Sequence, residues 1–237
     1  MFHVKHFYPT LPHKTRSPVP APAPPLTPTA FQAETCVTDA QLRALSVYLE
    51  TLEKWQKTIN LVGRGTLADP WRRHILDSAQ LVPLMPPPPV GRPGVLVDLG
   101  SGGGFPGLVL AGLLGPVSWT VHLVESDERK CAFLAEAGRQ MGLTVGADLH
   151  LHRCRIEALP SISADVITAR ALAPLDSLVE MALPLLKNGG CCLFLKGISW
   201  QEELTHAQKR WKLKVDPIES RTDGAARVLR LTELAPA

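Results

Sequence analysis

The chain has 237 residues, which at ~150 residues per domain suits one α/β domain with an appendage or two small domains. Hydrophobic residues at 45% and charged residues at 20% exclude a wholly disordered chain. The longest apolar stretch, Gly107 to Val117, falls short of the ~20 residues that a membrane span requires. The net charge of +3 comes from Lys5, Lys14 and Arg16, which precede the first acidic residue, Glu34, so the remainder is formally neutral and net charge argues for no nucleic-acid partner. Five cysteines without a CxxC provide neither a disulfide framework nor a zinc knuckle, and reduced thiols in a cytoplasm are the expectation.

Eight of the 22 prolines fall within residues 9–28, so residues 1–34 read as a disordered, proline-rich tail without the uninterrupted apolar core of a secretory signal. From an N-cap at Thr38 or Asp39, the stripe Leu42, Leu45, Leu49, Leu52, Trp55 and Ile59 predicts a helix ending near Gly63. Asp69-Pro70 reads as N-cap and N1 of a second helix, stopped by Pro83. Residues 35–93 are thus expected to be a helical cap followed by a stiff proline-rich linker, Pro86 to Pro93.

Residues 94–237 alternate apolar runs with helical stretches. Strands are expected at Val95–Asp98, Thr120–Glu125, Asp148–His152, Asp165–Ala169, Cys191–Lys196, Leu213–Ile218 and Arg227–Leu231. Helices are expected at Pro106–Leu114, Glu128–Met141, Leu175–Leu186 and Trp200–Trp211. Such alternation predicts an α/β fold with a mostly parallel seven-stranded sheet and a ligand at the carboxyl ends of its strands. Cys191 and Cys192 fall on a buried strand and are expected to be inert.

The stretch Asp98-Leu99-Gly100-Ser101-Gly102-Gly103-Gly104-Phe105-Pro106-Gly107 carries the chemistry. Glycines let the backbone turn sharply and approach a ligand. Glu125, closing the next strand 25 residues after Gly100, can accept both hydroxyls of a ribose. Gly102-x-Gly104-x-x-Gly107 formally matches a dinucleotide fingerprint. Asp98-x-Gly100-x-Gly102-x-Gly104 matches the pattern of S-adenosylmethionine-dependent methyltransferases, and a carboxylate before the glycines suits an amino-acid moiety better than a pyrophosphate.

Trp55-Gln56-Lys57-Thr58-Ile59-Asn60-Leu61, Arg73-His74-Ile75-Leu76-Asp77-Ser78, the glycine stretch, Glu125-Ser126, Arg155-Ile156-Glu157, Ala169-Arg170-Ala171 and Leu195-Lys196-Gly197 follow one another in a particular order. In that order the chain resembles the bacterial ribosomal RNA small subunit methyltransferase G family over about 50–235. It departs at Gly103, where the family often has Pro or Ala, and at Glu125, where Asp is also common.

The resemblance implies a Rossmann-like class I fold with a helical N-terminal cap. The activity implied is S-adenosylmethionine-dependent methylation of guanine N7 at position 527 of 16S ribosomal RNA, and a cytoplasmic monomer acting on that RNA or on a small-subunit assembly particle is expected. Asp98, Gly100, Ser101, Gly102, Gly104, Phe105, Glu125, Ile156, Glu157 and Arg170 are the expected cofactor residues, with Ile156 and Glu157 near the adenine and Arg170 on cofactor or RNA. Arg73, His74, Lys130, Arg155 and Lys196 are expected on the RNA side.

His74 and Asp77 share one helix face but have no third ligand in the pattern, so no metal is expected and the pair reads as a helix-surface hydrogen bond or as RNA-facing or domain-bridging. The basic pairs Arg129 with Lys130 and Arg153 with Arg155, and the run Lys209 to Lys214, make an RNA footprint only where they converge on one rim. No residue is assigned a proton transfer. Neither an Asn/Asp-Pro-Pro-aromatic turn nor a cysteine nucleophile follows the fourth strand. The alternatives are a methyltransferase of another RNA, a protein or a small molecule, and a nicotinamide-dependent oxidoreductase.

Overall fold

The computed structural model describes residues 24–115 and 118–237. The apolar runs form β1 (Gly94–Leu99), β2 (Trp119–Glu125), β3 (Leu149–Arg153), β4 (Ala164–Arg170), β5 (Leu186–Lys196), β6 (Trp211–Glu219) and β7 (Arg227–Pro236). They make one sheet in the order β3-β2-β1-β4-β5-β7-β6. Strands β1 to β5 run parallel, and β7 is antiparallel to both β5 and β6. The order reverses between β1 and β4, which opens a crevice at their carboxyl ends, the usual ligand position in such sheets.

The central strands are apolar on both faces because helices cover both. On one side Leu96, Val121, Leu123 and Leu149 share a core with Leu108 of α4 (Gly107–Leu114) and Phe133 of α5 (Glu128–Gln140). On the other, Val97, Val124, Ile167 and Ala169 pack with Leu175, Leu178 and Val179 of α6 (Leu175–Ala182) and Ala207 of α7 (Trp200–Ala207). Cys191 and Cys192 project to opposite faces of β5, and burial pushes both thiols up, which keeps them protonated.

Residues 1–23 of the expected tail lie outside the described residues, but its end does not fit the expectation. Residues Pro28–Thr35 form α1, capped by Thr27, whose Oγ1 accepts from Ala30 N at 3.1 Å. Its Phe31 is fully buried with its ring 5.3 Å from that of Trp71. One buried aromatic outweighs the surrounding prolines, so the folded chain begins before residue 35.

A capping box between Thr38 and Gln41 starts α2 (Asp39–Gln56). Leu45, Leu49 and Leu52 are buried as the stripe predicts, and Tyr48 joins them. The helix ends seven residues before Gly63, because the Gln56 side chain folds the chain back on itself. Its Oε1 accepts from Leu61 N and Val62 N at 2.9 and 3.0 Å, and its Nε2 donates to Val62 O at 2.9 Å.

Asp69 caps as expected, accepting from Arg72 N at 3.2 Å. The turn that follows, Trp71–Leu76, is π-helical before α3 (Asp77–Ala79), a widening common at functional sites. Tyr48, Leu45 and Ile75 belong to the same core as β1 and β2, so the cap is packed onto the sheet and has no core of its own. Elsewhere α6 and α7 stop four residues short of the expected ends, each in a turn that leads into the next strand at Leu186 and Trp211, while β5 and β7 run longer.

Candidate active site

The backbone leaves β1 through Gly100, Gly102 and Gly104, at φ +63, +55 and +88, a region that side-chain-bearing residues rarely enter. Two buried groups hold the loop from behind. Tyr48 Oη donates to Gly103 O. Asp98 is fully buried, and its Oδ1 accepts from Thr168 Oγ1 at 2.7 Å while Oδ2 accepts from Gly107 N at 3.2 Å. Burial pushes the Asp98 carboxyl up to about 6, against hydrogen bonds from Thr168, Ser101 and Gly107 that favour the ionised form.

In front of the loop lies an open cavity of about 900 Å³. Gly100, Ser101, Gly102, Phe105, Glu125, Ile156, Glu157 and Arg170 line it, as do Arg73, His74, Lys130, Arg155 and Lys196. Two expected cofactor residues do not. Asp98 faces the start of α4 rather than the cavity. Gly104 is spent on packing, since a Cβ there would lie 2.7 Å from both Leu108 Cδ1 and Tyr48 Oη. The acidic residue before the glycines therefore shapes the loop and does not line the cavity.

Glu125 is nearly buried at the end of β2, with Oε1 accepting from Ser126 N and Asp127 N at 2.7 and 2.8 Å and Oε2 accepting from Gly102 N at 3.0 Å. Three backbone donors fix the carboxylate, and a further lone pair of Oε2 stays available to a hydroxyl donor. With Ile156 as an apolar wall and the glycine backbone alongside, these residues fit a nucleoside that carries an amino-acid group.

Arg170, at the end of β4, joins the cap to the sheet. Its Nη1 donates to Asp77 Oδ2 at 3.2 Å and Arg73 O at 3.1 Å, its Nη2 lies 3.0 Å from His74 Nδ1, and its guanidinium sits 4.8 Å from the Phe105 ring centroid. His74 is buried and stacks on Phe105 at 4.6 Å. Burial first, then the charges of Arg170 and Arg73, lower its pKa to about 3. Asp77 Oδ1 accepts from Thr222 Oγ1 at 2.7 Å and Gln80 Nε2 at 3.0 Å. The pair is thus domain-bridging, not a surface hydrogen bond.

Of the expected RNA-side cations, Lys130 in the first turn of α5 and Arg155 two residues beyond β3 line the same side of the cavity. Lys196 also lines the cavity but is already paired. Its side chain is 9% exposed, and its ammonium is neutralised by Glu203 and donates to Ala173 O at 2.9 Å, so it ties two loops together. The run from Lys209 to Lys214 does not line the cavity, and Lys214 and Arg210 pair with carboxylates of their own. Sequence reasoning missed Thr66, Thr222 and Asp223 of the β6–β7 loop, and Arg227 at the start of β7, all of which line the cavity. No local motif marks them. Among the described residues no group of three or more His, Cys, Asp or Glu is arranged to hold a metal ion, and no helix is long and apolar enough to cross a membrane.

Comparison with known proteins decides among the methyltransferase classes that this cavity allows. A family model described as rRNA small subunit methyltransferase G (GidB) matches residues 41–224. The chain belongs to this family. A Ribosomal RNA small subunit methyltransferase G of Rhodospirillum rubrum is 51% identical over 209 residues, covering 88% of this chain and 98% of the relative. That of Rhodospirillum centenum is 47% identical over 215 residues, covering 91% and 94%.

Among solved structures, a Corynebacterium glutamicum protein aligns with TM-score 0.53 at 14% identity, covering 87% of this chain and 96% of its own. A SAM-dependent methyltransferase from Aquifex aeolicus aligns with TM-score 0.52 at 15% identity, covering 70% and 95%. Both share the Rossmann-like class I fold. As a family member the chain is a methyltransferase of small-subunit ribosomal RNA, with S-adenosylmethionine as cofactor, which sets aside the nicotinamide reading of Gly102-x-Gly104-x-x-Gly107.

Proposed function

We propose that the chain methylates N7 of guanine 527 in 16S ribosomal RNA, acting as a cytoplasmic monomer on that RNA or on a small-subunit assembly particle. One observation carries the choice of atom: Glu125, Asp77, Glu203 and His74, four titratable groups that line the cavity, are all engaged. Glu125 accepts three backbone N–H bonds, Asp77 holds Arg170, Thr222 and Gln80, Glu203 holds Lys196, and the His74 ring is bonded at both nitrogens and kept neutral. None is poised to remove a proton from an attacking group.

Guanine N7 suits such a cavity because it presents an in-plane lone pair and carries no proton. S-adenosylmethionine supplies an electrophilic methyl when bound. The chain's own residues then act by placement, which is worth up to ~7–11 kcal/mol of a bimolecular barrier. Glu125 and the Gly100–Gly102 backbone hold the nucleoside end, Ile156 supplies an apolar wall and Glu157 an acceptor for the adenine amino group. Arg170 fixes the spacing between cap and sheet, and Arg73, Lys130 and Arg155 supply positive charge for phosphates.

The test is transfer of a tritiated methyl group from S-adenosylmethionine to small ribosomal subunits and to naked 16S RNA, followed by strand scission selective for 7-methylguanosine. Label at position 527 is the expected result. Label at another atom or another base would overturn the reading.

A further inference from the structure

Four large apolar side chains are exposed among the described residues: Val90, Val145, Leu172 and Ile198. Two of the four lie on neighbouring loops beside one cavity. Leu172 lies two residues beyond β4 and Ile198 two residues beyond β5, and these strands are paired neighbours with Arg170 opposite Leu195. Leu172 lines the cavity, and so does Gly197 beside Ile198.

The loops that carry them are braced. Ala171 turns the chain at φ 51, a conformation rare for a residue with a side chain. Lys196 Nζ donates to Ala173 O at 2.9 Å. Glu203 pairs with that ammonium, accepts from Leu175 N at 3.0 Å through Oε2, and accepts from Ser199 Oγ at 2.9 Å through Oε1. One partly buried ion pair thus braces both loops, leaving Leu172 37% and Ile198 82% exposed. Leu172 covers Gly100 and lines the cavity, while Ile198 stands in water with little packing in the free chain.

We propose that Leu172 and Ile198 form an apolar wedge that inserts beside the target nucleotide and takes the stacking contact of an RNA base as that nucleotide enters the cavity. Enzymes that act on a base must remove it from its stack, and Leu and Ile are among the side chains that occupy the space so opened. Phosphates of the same strand are met by Lys130 and Arg155 on the cavity's opposite rim, so the surface suits an RNA strand, with charge for its backbone and apolar surface for a base. At about 900 Å³ the cavity lies at the upper end of the range for single small-molecule sites, which leaves room for a base beside the cofactor. The wedge rests on the rRNA-methyltransferase reading.

The experiment uses the full chain with Ile198→Gln, Leu172→Gln, the double substitution and Ile198→Met. Three quantities are read: the single-turnover rate on naked 16S RNA and on small subunits, S-adenosylmethionine affinity by calorimetry, and fluorescence of a 2-aminopurine placed beside the target guanine in an RNA hairpin. The wedge predicts about a tenfold slower transfer to both RNAs for Ile198→Gln, more for the double substitution, and recovery with Ile198→Met. Cofactor affinity of the Ile198 variants should stay within about twofold, and the 2-aminopurine signal that rises with the unsubstituted protein should be lost.

Unchanged transfer with an unchanged fluorescence rise would overturn the wedge. Loss on subunits with full transfer to naked RNA would overturn it too, and would assign these side chains to a ribosomal protein. Failure of the parent reading is distinguishable, because the unsubstituted protein would then label no ribosomal RNA at all.

Discussion

The Arg170 guanidinium lies with Nη2 3.0 Å from Nδ1 of the buried His74. Arginine has donors only, so Nδ1 must accept and the proton must sit on Nε2. From there it is donated to Thr66 Oγ1 at 2.8 Å, and the Thr66 hydroxyl passes its own proton to Gly63 O at 2.6 Å. A single tautomer thereby links the end of β4, the π-helical turn and the loop after α2. Arg170→Lys offers one ammonium in place of a fork and cannot reach His74, Asp77 and Arg73 together. The expected outcome is a single-turnover rate at least about tenfold lower. Arg170→Ala should in addition lower the thermal midpoint by several degrees, as a half-buried Asp77 loses its charge partner at ~1–3 kcal/mol.

Gly100 combines a positive φ with a covered position. A Cβ there would lie 2.5 Å from Leu172 Cδ1 at φ +63. Gly100→Ala should cost ~1–2 kcal/mol in backbone strain alone and weaken S-adenosylmethionine binding at least about tenfold, since the displaced Leu172 and the loop both line the cavity. Gly65→Ala is the control, with nothing within 4 Å and no positive φ. Calorimetric titration of both variants checks the contrast, and equal affinities would count against the glycine loop as the cofactor cradle.

Phe31 makes residues before 35 part of the folded structure. Phe31→Ala should destabilise the chain by ~3–5 kcal/mol, the usual cost of truncating a buried aromatic, with Trp71 left half-covered. Truncation to begin at Glu34 should produce a similar loss, read from the midpoint of urea denaturation. An unchanged midpoint would show that α1 contributes no stability.

Much of the fold was legible because it depends on local pattern. Runs such as Val95 to Leu99 need cover on both faces, and the glycines after Asp98 need positive φ wherever they occur. Glu125 and Arg170 were legible as strand-end residues beside a glycine loop. What the sequence hid lies in contacts between distant segments. His74 and Asp77 suggested a pair with each other, yet their shared partner lies 96 and 93 residues away. Asp98 pointed to a ligand by its position before the glycines, but a carboxylate directly ahead of so tight a turn is enclosed by it, and its acceptors are taken by Thr168 and Gly107. Lys196 looked like a free cation because nothing local foretells that Glu203 folds over it.

That enclosure has a pH signature. The buried Asp98 carboxyl titrates near about 6, whereas in the unfolded chain it titrates near ~3.9. Between these values the native state holds a proton that the unfolded chain has lost, so this group's contribution to stability falls as pH rises from about 4 to about 6 and stays low above that. His74 and His122, lowered to about 3 and about 4 chiefly by burial, act in the other direction and lose stability as pH falls below their ordinary ~6.5. Asp98→Asn removes only the first effect. The variant's thermal midpoint minus that of the unsubstituted protein should therefore be more positive at pH 7 than at pH 4.5, by several degrees, in paired melts across that range. A difference that is flat with pH would show that Asp98 is not held against ionisation.

The identity of the methylated atom has a kinetic signature of its own. If the acceptor is guanine N7, no proton leaves the nucleophile, and the only histidine lining the cavity among the described residues is neutral throughout the physiological range because burial lowers it to about 3. The single-turnover rate with saturating RNA should then be nearly flat from about pH 6.5 to about pH 8.5. His74→Ala and Asp77→Asn should leave that flat shape intact while weakening RNA affinity or lowering the thermal midpoint, since both residues hold Arg170 and neither meets a proton in transit. An exocyclic amine would behave differently, because it must shed a proton as the methyl arrives and would draw on a general base with a pKa inside the measured window. A rate rising tenfold per pH unit through that range, and flattened by replacing one carboxylate or His74, would therefore place the methyl on an atom other than N7.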